Sequence, residues 1–319
     1  MNQTKDFRLK LAAPDTFVKC MNILGALLDR VDLSISANSL TLNAMDPSHV
    51  CQVDLVLPRD FFNECKADKR QTIQIDLKEL NMVLKRGRNE VLFLIAEAGD
   101  NKMLVQMQGD SKRTFKINLY PPGESPVPER EISFDAKFGL SADDLANLVG
   151  DASLASDYMT LSLIPDIVGD YLELDTGVTE DGMEFSAVVT KFVEKPVALK
   201  KQTAVYSLEY LKDIVKSQTI ASNCRLQFSS EMPLKLEYIL EHQATLVFTL
   251  APRIEEKEDE DTPARPPTEK DASEEYHDHI GETYKKNQPS KRAVKKSKAI
   301  DEFEYRDKEP EEESEAEQG

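Results

Sequence analysis

Few residue groupings in this chain have the makings of chemistry. His277-Asp278-His279 sets two imidazoles beside a carboxylate, a pattern that could attract a metal ion, but the chain has 4 histidines in all and no cysteine near these. Asp143-Asp144 is a consecutive acidic pair, and on a helix the two carboxylates point in different directions, so alone they cannot form a two-metal site. Cys20, Cys51, Cys65 and Cys224 make no C-x-x-C pair, and three of them sit in apolar runs typical of buried free thiols in a reducing compartment. There is no Walker A loop, no G-x-S-x-G and no H-E-x-x-H. The reading is therefore a chain with no catalytic residues, no cofactor, no metal and no enzymatic activity of its own. Two short blocks carry more information: Ala44-Met45-Asp46-Pro47-Ser48-His49-Val50 and Leu250-Ala251-Pro252-Arg253-Ile254-Glu255-Glu256. Neither carries obvious catalytic chemistry.

The elements that must position these blocks follow a repeat. Asp76 to Lys85 and Ser207 to Lys216 align without gaps at an offset of 131 residues, each opening with an N-cap residue. Leu77/Leu208, Leu80/Leu211, Val83/Ile214 and Leu84/Val215 match, which gives each helix one apolar face. Lys78, Asn81, Met82 and Lys85 read as the opposite face of the first, with Arg86 and Arg88 just beyond it. Alternating runs follow both helices: Glu90 to Ala96, Lys102 to Gln108 and Thr114 to Leu119, then Arg225 to Ser229, Leu234 to Leu240 and Thr245 to Leu250. Each half also opens with a helix, Pro14 to Arg30 and Ser141 to Ser153. Strands follow these too, Asp32 to Asn43 and Cys51 to Leu57 in one half, Tyr158 to Ile164, Tyr171 to Thr176 and Met183 to Val189 in the other. An internally duplicated α+β unit accounts for this order.

Pro121, Pro122, Pro126 and Pro128 forbid a helix between the halves and favour an extended connector. The expected organisation is an N-terminal domain over 1–118, a connector over 119–132, a C-terminal domain over 133–254 and a tail over 255–319. Of the net charge of −18, the tail holds −10 (22 acidic, 12 basic residues). With few branched apolar residues it cannot offset the entropy of ordering, and it reads as disordered. Within it Lys285-Lys286, Lys291-Arg292 and Lys295-Lys296-Ser297-Lys298 form a basic island followed by Phe303-Glu304-Tyr305, either a solvated tether or a nuclear-import-like or DNA-touching patch. An acidic total disfavours nucleic-acid binding only in bulk, since a local basic stripe can dominate the field it faces. No signal-like N-terminus or membrane-length apolar run is present, so no membrane partner is expected.

The two blocks, with Met232-Pro233-Leu234-Lys235-Leu236-Glu237-Tyr238, resemble signatures of the PCNA family of DNA sliding clamps, over about 250 residues from Phe7 to Glu256. The resemblance implies a DNA-clamp fold: two pseudo-repeated domains with inner helices and outer antiparallel sheets, assembling as a ring, most often a homotrimer, around double-stranded DNA. It implies a processivity factor for replication and repair, intracellular, nuclear if the source is a eukaryote and otherwise cytoplasmic or at the nucleoid. Positions that would face DNA are Lys19, Lys78, Lys85, Arg86, Arg88, Lys212 and Lys216. On the third helix, where such clamps carry bases, this chain has Asn147, Gly150 and Leu154 with Asp143, Asp144 and Asp151 nearby. The groove that would receive peptides of DNA polymerase, flap endonuclease and DNA ligase, with a clamp loader as a further partner, is implied at Met45, His49, Val50, Val127, Pro128, Pro233, Ala251, Pro252, Arg253 and Ile254. For any one of these, ordinary core packing is the plain alternative. Two other functions compete: a checkpoint-type clamp subunit, and an acidic chaperone of basic nuclear proteins acting through the tail.

Overall fold

The computed structural model describes residues 7–87, 90–97, 100–123, 132–178 and 182–253. The first half runs β1 (Phe7–Leu11), α1 (Asp15–Leu27), β2 (Arg30–Ile35), β3 (Ser39–Met45), β4 (Cys51–Pro58), β5 (Glu64–Ala67), β6 (Gln71–Asp76), α2 (Leu77–Leu84), β7 (Val91–Ala96), β8 (Lys102–Gln108) and β9 (Lys112–Asn118). The second repeats that order: β10 (Ala136–Ser141), α3 (Ala142–Ala155), β11 (Tyr158–Ile164), β12 (Tyr171–Asp175), β13 (Ser186–Val189), β14 (Glu194–Val197), β15 (Gln202–Ser207), α4 (Leu208–Ile214), β16 (Asn223–Phe228), β17 (Leu234–Ile239) and β18 (Thr245–Leu250). The duplication read from two helices thus extends to every element.

Sheet order repeats as well. The five strands β5-β1-β7-β8-β9 correspond to β14-β10-β16-β17-β18, and the four strands β4-β3-β2-β6 to β13-β12-β11-β15. The last strand, β18, pairs antiparallel with β4, from Thr245 opposite Val56 to Leu250 opposite Cys51, and fuses one sheet of each half into nine strands. Their inward residues, Cys51, Val53, Leu55, Leu57, Leu246, Phe248 and Leu250, are buried with period two, as a sheet backed on one face requires.

The helices pack in pairs, α1 on α2 and α3 on α4, with α1 also meeting α4 across the halves. The Asp76 carboxylate caps α2, accepting from the backbone N–H groups of Lys78 and Glu79 at 2.9 and 3.1 Å. Ser207 opens α4 without a side-chain cap, and a 3-10 turn over Val215–Thr219 continues it. Asn81 lies four residues beyond Leu77, which puts it on the buried face rather than the polar one, and its Nδ2 donates to the Met21 carbonyl at 2.8 Å. Gly25 makes room for that bond, because a Cβ there would stand 2.4 Å from Asn81 Nδ2.

Several boundaries differ from expectation, among them the strand expected from Met183, which begins at Ser186, and the helix expected to reach Lys216, which ends at Ile214. The first helix ends at Leu27 rather than Arg30, because Arg30 to Ile35 is taken up by pairing with β6. The run from Asp32 to Asn43 is a hairpin rather than one strand: Ser36 Oγ accepts from the N–H groups of Asn38 and Ser39 and turns the chain. The short edge strands β5 and β14 carry too little alternation to be read in advance. The 255–319 tail, Arg88, Val127, Pro128 and Ile254 lie outside the described residues. Among the described residues no helix is long and apolar enough to cross a membrane.

Candidate docking site and nucleic-acid interface

The β18–β4 pairing brings the two sequence blocks together. Past the last strand pair the Ala251 N–H donates to the Val50 carbonyl at 2.8 Å, so the β3–β4 loop lies against the segment that leaves β18. Pro233 precedes Leu234, which pairs with Leu250, and so flanks the same segment on its other side. Met45, Val50, Pro233, Ala251 and Pro252 are half-buried, while His49 and Arg253 are exposed. Five of these seven residues are thus partly accessible and two exposed, on neighbouring segments of the same sheet.

Asp46 organises the loop. Its carboxylate accepts from the N–H groups of Ser48, Val50 and Cys51 at 2.9, 2.7 and 2.6 Å and from the Tyr210 hydroxyl at 2.8 Å. Burial alone would raise its pKa, but the Cys51 N–H, the Tyr210 hydroxyl and the Ser48 and Val50 N–H groups outweigh that and hold it below the usual carboxylate value. His49 sits at φ 59°, a left-handed conformation that an L residue keeps only where its surroundings impose it. Tyr210 escaped the sequence reading because its partner lies 164 residues away.

The segment beyond β18 is anchored by a contact that occurs twice. Arg253 donates its N–H to the Val205 carbonyl at 2.8 Å and lays its guanidinium 3.9 Å from the Tyr158 ring centroid. In the first half Tyr120 bridges Gln74, and Arg30 lies 4.2 Å over the Tyr120 ring. Gln74 and Val205 are 131 residues apart, and Arg30 and Tyr158 each open the strand after the first helix of their half. The cation and the aromatic ring have exchanged places between the halves, and the contact is kept.

The basic positions fall on the helices as follows. Lys19 is exposed on α1, Lys78 on α2, Lys85 and Arg86 just past its end, Lys212 on α4 and Lys216 in the turn after it. Lys78 Nζ lies 2.7 Å from Asp29, Lys216 is paired with Asp213, and Lys19 Nζ donates to the Thr219 carbonyl at 3.3 Å. The lysine ends of these contacts are solvent-exposed, so they cost little to exchange for an anion from outside. On α3 Asp143, Asp144 and Asp151 are exposed together with Asn147, Gly150 and Leu154.

Comparison with known proteins follows this architecture throughout. Residues 7–120 match the family model of the proliferating cell nuclear antigen N-terminal domain, and residues 129–253 that of its C-terminal domain. The DNA polymerase sliding clamp of Thermococcus gammatolerans is 30% identical over 232 residues, covering 72% of this chain and 91% of that protein. That of Pyrococcus abyssi is 29% identical over 251 residues, covering 78% and 99%. Crystal structures of PCNA from Thermococcus kodakaraensis and from Entamoeba histolytica each superpose with TM-score 0.71 at 25% identity, the first covering 77% of this chain and 100% of that one, the second 78% and 99%. The fold is that of a DNA sliding clamp, a class of non-catalytic processivity factors. Within that class, the chain belongs to the proliferating cell nuclear antigen family.

Proposed function

We propose that three copies of this chain join edge to edge into a ring that encloses duplex DNA and serves as the moving platform of a DNA polymerase. One observation carries the ring: β18 pairs with β4 inside the chain, while their counterparts in the repeat, β9 and β13, are free edges among the described residues. Pairing β13 of one copy with β9 of the next reuses the internal join, and an unpaired edge is otherwise a liability. Charge supports it, since β9 carries Lys112 and Lys116, and the strand beside β13 carries Glu173 and Asp175. Native mass spectrometry of the full chain should find a species of three times the chain mass. Val188→Lys, which sets a cation on β13 against those of β9, should reduce it to monomers. A monomeric wild type, or a trimer indifferent to Val188→Lys, would overturn the proposal.

In this reading Lys19, Lys78, Lys85, Arg86, Arg88, Lys212 and Lys216 meet phosphates without reading bases, which suits sliding. The acidic third helix contributes no cations. The surface from Met45, His49 and Val50 to Pro233, Ala251, Pro252 and Arg253, continued by Val127, Pro128 and Ile254, receives apolar anchors of peptides from DNA polymerase, flap endonuclease and DNA ligase, and a clamp loader opens the ring. The chain supplies no chemistry of its own.

A further inference from the structure

The register of the sheet β5-β1-β7-β8-β9 assigns one set of side chains to its polar face. Arg8 stands opposite Lys66 and Ile95, Lys10 opposite Glu64 and Phe93, Leu104 opposite Lys116, and Lys102 and Lys112 continue the same row parity. The strands thus set six cations on this face against the single acid Glu64, in a chain of net charge −18. The equivalent face of β14-β10-β16-β17-β18 serves as an internal control. There Lys137, Arg225 and Lys235 are offset by Glu194 and Glu237, and Arg225 is ion-paired to both, at 2.7 and 2.9 Å. Duplication of the fold therefore does not account for the excess charge.

The cations form two bands, on β5/β1 and on β8/β9, with Val91, Phe93, Ile95 and Leu104 between them. Arg8 and Lys10 lie 4.9 and 5.7 Å from the Phe93 ring centroid, which fixes them at the border of the apolar stripe. Glu64 is shared between Arg8 and Lys66 at 3.5 and 2.8 Å, leaving the band positive.

We propose that this face binds an acidic protein segment that also carries aliphatic side chains, its carboxylates on the two bands and its apolar groups on the half-buried Val91, Ile95 and Leu104. Nucleic acid fits less well. A phosphate backbone has nothing to place on the apolar stripe, and Phe93, only 5% exposed beneath two cations, offers no ring on which a base could stack. The pairing lies within one chain, but in the proposed ring Lys112 and Lys116 of β9 also approach the Glu173 and Asp175 of a neighbouring copy, so the test uses Lys10, Lys66 and Lys102.

The test titrates the full chain into a fluorescein-labelled peptide of alternating Glu and Leu and, separately, into a single-stranded oligonucleotide of equal charge, reading anisotropy. Peptide affinity should fall by about tenfold or more in Lys10→Glu/Lys66→Glu/Lys102→Glu and less in the matching triple Gln variant, with oligonucleotide affinity unchanged. The Gln variant adds no like-charge contact with Glu64, so it keeps the test decisive should the Glu variant misfold. Peptide affinity equal in the wild type and the Gln variant would overturn the proposal. So would a loss confined to the oligonucleotide, which would mark a phosphate surface instead.

Discussion

The Tyr210 hydroxyl, on α4 of the second half, donates to Asp46 Oδ2, at the root of the β3–β4 loop of the first half, at 2.8 Å. One hydrogen bond thus joins the helix bearing the proposed DNA-facing Lys212 to the loop proposed to receive partner peptides. Tyr210→Phe removes the hydroxyl and leaves the ring of atoms that packs. Chemical denaturation should show a loss of about 1 to 2 kcal/mol, and calorimetry a weaker affinity for clamp-binding peptides with assembly unchanged. Peptide affinity equal to wild type would show that the bond does not position the loop.

The same carboxylate gives the loop a pH dependence. The pKa of Asp46 is lowered in the folded chain, so the group binds fewer protons there than in the unfolded chain. Its stabilisation is full above the ordinary Asp value of about 4 and is lost as pH falls through the lowered folded value. Asp46→Asn should flatten that acid limb of the stability profile. Urea midpoints measured from neutral pH downwards would check it.

At the proposed docking surface, Val50→Asp sets a charge beside the backbone contact with Ala251. Burying that charge under an apolar peptide anchor costs several kcal/mol, so calorimetry should detect no binding of a polymerase C-terminal peptide. Native mass should still report the wild-type assembly, because Val50 lies outside β9 and β13.

For the lining, the five-fold replacement of Lys19, Lys78, Lys85, Lys212 and Lys216 by Ala should shorten retention on DNA and lower polymerase processivity at low salt. The difference from wild type should shrink as salt rises and screens the wild-type contacts. Unchanged low-salt processivity would remove these residues from the DNA interface.

Burial pushes the thiols of Cys20, Cys51 and Cys224 up to about 12, and raises that of Cys65. All four are free and buried. Iodoacetamide at neutral pH should label none of them in the folded chain and all four in urea, read by intact mass.

The sequence by itself determined the duplication, the strands with clear alternation such as Lys102 to Gln108, Tyr158 to Ile164 and Thr245 to Leu250, and the Asp76 cap. Each depends on a local period or a residue's bond to its own neighbours, which a linear reading can follow. It also supplied both blocks of the proposed docking surface, as a resemblance. Only the tertiary structure decided what joins them: the β18–β4 pairing, the Tyr210 bond to Asp46, and the stacking of Arg253 on Tyr158. These contacts link positions far apart in the chain, and no local periodicity encodes which edge meets which. The burial of Asn81 belongs here too, since an amide on a helix is polar in sequence and becomes a core residue only when Gly25 lets a neighbouring helix close over it.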